Sequence, residues 1–212
     1  MAAAQFFAAW LHQYRREAHI AQQMAERLAA LSEEHGFNFW FCQAKIIRGG
    51  ALTQQGRYRE GIAQMQEGLA SLQARGPRLS YLSLLAQACL EASQLNTGRI
   101  VLSELLAAAD EHRYPASEPD TYRLRGEFLL RQDPSNAAEA ENCFERAIAA
   151  ARNLNAKMRE LRATMSLASL LADQGRRQEG RAMVADIYNW FTEGFDTADL
   201  KDARALLDDL AT

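Results

Sequence analysis

Apolar residues recur at helical spacing along almost the whole chain, and no stretch alternates with the period of two that a half-buried strand requires. Phe6, Phe7, Trp10, Leu11 and Tyr14 mark the apolar side of a first helix over Ala3–Tyr14. A break near Arg15 and Arg16 precedes a longer helix to His35, carrying Ile20, Met24, Leu28 and Leu31, with Gly36 as its stop. Helices over Asn38–Gln55 and Arg59–Arg75 follow, separated at Gly56, and Gly76-Pro77 closes the second of them. Next come Leu79–Ser93 and Asn96–Arg113, then an irregular connection from Tyr114 to Pro119. The last pairs are Asp120–Arg131 with Ala137–Asn153, and Lys157–Gln174 with Gln178–Thr192, the latter hinged at Gly175. All four prolines (Pro77, Pro115, Pro119, Pro134) fall in connections, as expected where proline is excluded from helix interiors.

Small residues interrupt this pattern at regular intervals. In the first helix of successive pairs stand Gly49, Ala86, Gly126 and Ala168; in the second stand Gly61, Gly98, Ala140 and Gly180. Four residues after each of the latter comes a bulky apolar one, Met65, Leu102, Phe144 and Val184. Glycine inside a helix costs roughly 1 kcal/mol against alanine, so its recurrence signals close helix contact. In the opening pair the best matches are Ala8 and Ile20. The expectation is an all-α chain, an α-α superhelix of about five antiparallel helix pairs over residues 1–36, 37–76, 77–114, 115–154 and 155–192.

Residues 193–212 should form a C-terminal capping helix. Asp196 or Thr197 starts it, Leu200, Ala203, Leu206, Leu207 and Leu210 share its apolar side, and Asp199, Lys201, Asp202, Asp208 and Asp209 fill the other. The amino end has no such cap, which predicts either a longer array or self-association there.

Three segments, Tyr122–Leu129, Ala140–Ala147 and Thr164–Leu171, resemble the tetratricopeptide repeat (TPR) family in their order of bulky, small and aromatic positions. The unit here is nearer 40 residues than 34, and Arg48 and Arg125 stand where that family usually has leucine. The segments Glu34–Trp40, Gly56–Met65 and Ile187–Leu210 are similar to the extreme C-terminal region of large bacterial proteins. In these a class III nucleotide cyclase or transcription-regulator domain precedes a signal-transduction ATPase with a TPR tail. No P-loop GxxxxGK[ST] and no cyclase catalytic segment occurs in these residues, so neither activity is assigned to them. The resemblance implies a non-catalytic protein–protein interaction module with a concave groove lined by first helices. Register places Gln43, Ile46 and Gly50 in it, then Ser83 and Gln87, Arg123 and Glu127, and Arg162, Met165 and Ser169. A chaperone-tail carboxylate clamp needs lysines and asparagines there, which Ile46, Gly50, Ser83 and Gln87 do not supply. Arg123 and Arg162 are the candidates for holding an acidic group of a partner.

Charge narrows the partner. The chain has 27 acidic and 24 basic residues, and the segment after Phe195 holds five aspartates against Lys201 and Arg204, leaving 22 of each sign elsewhere. A balanced body lacks the basic footprint of a nucleic-acid binder. No apolar run reaches the roughly 20 residues that span a bilayer, and the start lacks the basic leader of a secretory signal, so the expected location is cytoplasmic. Cys42, Cys89 and Cys143 are widely spaced and read as reduced helix residues. Among the histidines, His12 and His19 straddle a helix break, while His35 and His112 lie near helix C-termini; none forms part of a catalytic arrangement. No cofactor or metal is expected. The partner is a protein or peptide, including the upstream ATPase domain of the same polypeptide; the alternative is a free-standing adaptor that forms a homodimer through its N-terminal helices.

Overall fold

The structure is a computed structural model, describing residues 1–72, 78–110 and 114–211. The Gly76-Pro77 turn, the predicted helix ends at Arg75 and Arg113, and His112 lie outside the described residues. Within them are eleven α-helices, two short 3-10 turns and no strand. The helices are α1 (Ala2–Tyr14), α2 (Ala18–Glu34), α3 (Asn38–Gln54), α4 (Tyr58–Ser71), α5 (Arg78–Glu91), α6 (Leu95–Asp110), α7 (Glu118–Gln132), α8 (Ala137–Asn153), α9 (Lys157–Asp173), α10 (Arg177–Tyr188) and α11 (Ala198–Asp209). Most boundaries lie within two residues of the sequence expectation. Pro119 departs from it: Pro115–Ser117 is a 3-10 turn, and Pro119 sits in the first turn of α7, where its missing N–H costs nothing. The chain divides into two compact units, residues 1–101 and 102–212, and the division falls within α6.

Six helices end the same way. A residue in the left-handed region follows the helix, and the next N–H bonds to the carbonyl five residues back, as in a Schellman motif. Gly36, Gly56 and Gly175 take that position without steric cost. Arg16, Ser93 and Asn155 take it too, with φ of 61°, 55° and 53°. The matching bonds run from Glu17 N to His12 O at 2.9 Å, Gln94 N to Cys89 O at 2.8 Å and Ala156 N to Ala151 O at 2.9 Å. The break at Arg15-Arg16 therefore exists without a glycine because the same hydrogen bonding enforces it.

In unit 1 the small-residue series is where the helices touch. A Cβ on Gly49 would meet the carbonyl oxygen of Gly61 at 2.6 Å, and a Cβ on Gly61 would meet Thr53 N at 3.0 Å. Gly68 is held as tightly by Ile46 and the Cys42 carbonyl. The opening pair follows the same rule one residue later than expected. Ala9 and Ala21, not Ala8 and Ile20, are fully buried, and they stand twelve apart, as do Gly49 and Gly61. Consequently α2 turns Ala21, Ala25, Leu28 and Ser32 inward and leaves Ile20 exposed.

In unit 2 the contact has two forms. Gly180 lies against the Ala168 backbone, where a Cβ would meet the Ala168 oxygen at 2.9 Å. Gly126 instead receives the ring of Phe144, whose Cδ1 would be 2.8 Å from a Cβ. One core gathers Tyr122, Ala140, Phe144, Ile148, Leu167 and Leu171. A second joins Leu161, Ala168, Val184 and Ile187 to Leu200, Ala203, Leu207 and Leu210 of α11. The capping role expected for α11 holds, with one correction. Asp199 points inward and not to solvent, because Arg162 receives it.

Glu160 staples α8 to α9, accepting from Arg152 Nε at 2.6 Å and Lys157 Nζ at 2.8 Å. Burial opposes its ionisation, but the two hydrogen bonds outweigh burial and hold the carboxyl below its ordinary range. Such a group contributes stability above its unfolded pKa of about 4.3, and the contribution is lost as pH falls through the lower folded value. The Glu160→Gln variant should therefore show a flatter acid limb in urea midpoints measured from pH 7 downward, and an unchanged limb would contradict the role given to the staple. Gly61→Ala should lose about 1–3 kcal/mol by overpacking in the same assay, because the obstacle includes backbone; a midpoint equal to that of the natural chain would remove the close contact.

Candidate functional site

In unit 1 the first helices α1, α3 and α5 bring together amides and aromatic rings that lie far apart in sequence. Trp10 packs edge-on against Tyr14 at 5.0 Å and against Tyr81 at 5.1 Å. The Tyr81 hydroxyl donates to Gln43 Oε1 at 2.5 Å, and burial, with Tyr14 nearby, raises the phenol above its usual range. The Gln43 amide in turn donates to Phe39 O at 3.4 Å. Gln43 is thus a buried member of the face, its side chain used within the protein.

Beside this cluster lies Gln13, only 4% exposed, with neither amide atom meeting a hydrogen-bond partner. Gly50 makes room for it: a Cβ there would stand 3.0 Å from Gln13 Nε2 and 2.6 Å from Leu84. Gln54 donates to the Gln13 main-chain oxygen at 3.2 Å, while its own Oε1 and that of Gln5 are buried without a partner. Ser83 and Gln87 are half-buried on α5 and bond locally, to Leu79 O at 3.1 Å and Glu91 at 2.8 Å. Ile46 is fully buried.

In unit 2 the first-helix face is built by α7 and α9. Glu127 of α7 accepts from Ser166 of α9 at 2.6 Å, tying the two helices across that face. Arg123 is half-buried one turn before Glu127, and Met165 is half-buried on α9. Ser169 is exposed and donates to Met165 O at 3.1 Å. Arg162 is engaged by α11, with Nε and Nη2 reaching the two carboxylate oxygens of Asp199 at 3.0 and 2.6 Å. The structure therefore groups Arg123, Glu127, Arg162 and Ser169 on one pair of first helices, with Arg162 committed to an internal carboxylate.

The remaining charges work between helices. Arg48 reaches Glu26 at 3.1 Å, and Arg125 reaches Glu139 at 2.6 Å, which accounts for arginine at those two positions. Glu141 pairs with Arg176 at 2.7 Å, and Arg146 lies over the Tyr122 ring while donating to its hydroxyl at 2.7 Å. Glu139, Glu141 and Arg146 thus each reach beyond their own helix. Cys42, Cys89 and Cys143 are free and buried, and burial pushes the Cys89 thiol up to about 11. His12 pairs with Glu17, and the His35 ring lies against Phe37 at 5.4 Å. Among the described residues no group of three or more His, Cys, Asp or Glu is disposed to hold a metal ion, and no helix is long and apolar enough to cross a membrane.

Sequence reading missed Trp10, Gln13, Gln54 and Tyr81. A buried polar group without a partner costs roughly 1–3 kcal/mol, so Gln13 marks a face whose hydrogen bonding is unfinished within the protein.

No family model and no curated protein matches the sequence. Solved structures do match the fold. A signal transduction ATPase with numerous domains (STAND) carrying a tetratricopeptide repeat sensor, from Pyrococcus horikoshii, superposes with a TM-score of 0.73 at 14% identity, over 100% of this chain and 32% of that one. A Rap protein complexed with competence and sporulation factor gives 0.65 at 12% identity, over 99% of this chain and 63% of that one. TPR-like repeats of a kinesin light chain homologue from Podosopora anserina give 0.59 at 16% identity, over 87% of this chain and 92% of the other. The chain spans less than two thirds of the first and second of these proteins. The likeness shows a TPR-like helical solenoid fold.

Replacing Gln13 by leucine should raise unfolding free energy by about 1 kcal/mol in urea titrations, since it removes an unpartnered buried amide. A comparable loss would mean that the amide is satisfied in the folded chain.

Proposed function

We propose that the chain is a non-catalytic protein–protein interaction module whose first-helix faces bind a polypeptide partner. The observation that carries this reading is the TPR-like solenoid fold, whose first helices in unit 1 set Trp10, Tyr14 and Tyr81 beside the unpartnered Gln13 amide. Amides suit the alternating donors and acceptors of a peptide main chain, and aromatic rings supply apolar area at little entropic cost. In unit 2 the corresponding face offers Arg123, Glu127 and Ser169, where an acidic group of the partner meets Arg123.

The module is the regulatory C-terminal tail of a bacterial signalling protein, cytoplasmic, preceded by an ATPase core of the cyclase or transcription-regulator type. Support comes from the fold shared with a STAND protein described as having a tetratricopeptide repeat sensor, and with a Rap protein complexed with competence and sporulation factor. Occupancy of the face shifts the core between states through differential affinity, whether the occupant is a separate protein or the core itself. An upstream P-loop in the same reading frame supports the tail; a stop codon there supports a free-standing adaptor using the same face.

Binding is tested with a peptide selected against the full chain from a random library, titrated by fluorescence anisotropy. Gln13→Leu and Arg123→Ala should each weaken it about tenfold, equivalent to about 1.4 kcal/mol, while Gln66→Ala on the exposed side of α4 leaves affinity unchanged. Affinity indifferent to both first-helix changes overturns the assignment.

A further inference from the structure

The Gln13 side chain makes no hydrogen bond to the fold that encloses it. Its neighbours are Gly50 of α3 and Leu84 of α5, both placed by helices that follow it, so its surroundings do not depend on any segment before Met1. Only 4% of the residue is exposed, yet neither Nε2 nor Oε1 meets a partner. Gln54 adds a third such atom. Its Nε2 donates to the Gln13 main-chain oxygen at 3.2 Å, which fixes the orientation of that amide and leaves Oε1, buried and unpartnered, as an acceptor. Since no hydrogen bond holds the Gln13 amide, turning it toward an occupant of the face breaks none. The surroundings are also uncharged. Ala2–Leu11 in α1, Asn38–Ala44 in α3 and Leu79–Gln87 in α5 contain no Asp, Glu, Lys, Arg or His. The nearest charges in sequence, His12 and Arg15, are both bound to Glu17.

We propose that Gln13 and Gln54 read a carboxamide, the side chain of an asparagine or glutamine in the partner polypeptide. This rests on the reading of the unit 1 first-helix face as a binding surface and names the chemistry it selects. A primary amide carries one carbonyl acceptor and two N–H donors. That is the complement of the three unpartnered atoms: the carbonyl accepts from Gln13 Nε2, and the two N–H groups donate to Gln13 Oε1 and Gln54 Oε1. Other side chains leave part of the set unmet. A carboxylate only accepts, so it faces two carbonyl oxygens and finds no cation to balance its charge. Lysine and arginine only donate, which leaves Gln13 Nε2 unpartnered and a desolvated charge beside Trp10 and Tyr14. An aliphatic side chain meets none of the three. A site whose buried polar atoms are satisfied by one group rejects the others through its own unpaired atoms.

The test uses peptides selected against the full chain from a random library and titrated by fluorescence anisotropy. Each peptide weakened by Gln13→Leu should contain an asparagine or glutamine whose replacement by aspartate, lysine or leucine lowers affinity about tenfold or more. Against the Gln13→Leu chain, replacing that same residue by leucine should cost less than about twofold, because the pair is already broken. Gln54→Leu should weaken the same peptides about threefold or more. Circular dichroism of both variants should match that of the natural chain, so that lost affinity is not lost fold. Peptides that depend on Gln13 yet tolerate replacement of every asparagine and glutamine overturn the carboxamide and leave the face a binding surface. Peptides indifferent to Gln13→Leu overturn it as well, and indifference to Arg123→Ala in addition removes the reading beneath it.

Discussion

Backbone lies against backbone where Gly49 meets Gly61, and the rest of the architecture depends on that approach. Two helices this close leave no space for side chains at the crossing, so the residue there is fixed as glycine or alanine in both. The distance along the chain from one crossing residue to the other, twelve for Ala9 and Ala21, Gly49 and Gly61, and Ala168 and Gly180, then sets how much helix and turn lies between. In the pair formed by α7 and α8 the distance is fourteen, accommodated by the Pro134–Asn136 3-10 turn. There the Phe144 ring fills the space above Gly126. The pairs are thus alike because one steric rule is solved repeatedly, with two side-chain solutions.

Stacking of one pair on another is specified differently, by charge. Arg48 with Glu26, Arg176 with Glu141, and Arg162 with Asp199 each join helices of different pairs. Exposed pairs of this kind are worth no more than about 1 kcal/mol, so their role is better described as fixing register than as supplying stability. Arg162 with Asp199 is the exception in depth, a two-pronged contact whose carboxylate is almost fully buried. It fastens α11 to α9 and occupies the guanidinium within the protein. The first-helix face of unit 1 is organised on other chemistry, aromatic rings and amides, and Gln13 is the amide with both its atoms unpartnered.

Most of the fold was legible because its determinants are local. Glycines in the left-handed region, prolines at helix starts and small residues at a constant spacing are all visible in one dimension. The misreadings share a cause. In the opening pair the small-residue series was matched at Ala8 and Ile20, although the buried stripe there is Ala9 and Ala21. Asp199 looked like a solvated charge because its partner is 37 residues away. The site was less legible still. Register assigns residues to helices, but it does not report that Gln43 is occupied by Tyr81 while neither side-chain atom of Gln13, four residues after Ala9, meets a partner in the protein. Such distinctions depend on which side chain arrives from another helix, and the hydrophobic pattern carries no record of that.

The central claim is that first helices recognise and second helices support. Hydrogen–deuterium exchange, read by mass spectrometry on the full chain with and without a saturating library-selected peptide, tests it most directly. The account predicts added protection on α1, α3 and α5 or on α7 and α9, with α4, α8 and α10 unchanged apart from their contacts to those helices. Protection concentrated on α4, α8 and α10 would contradict it.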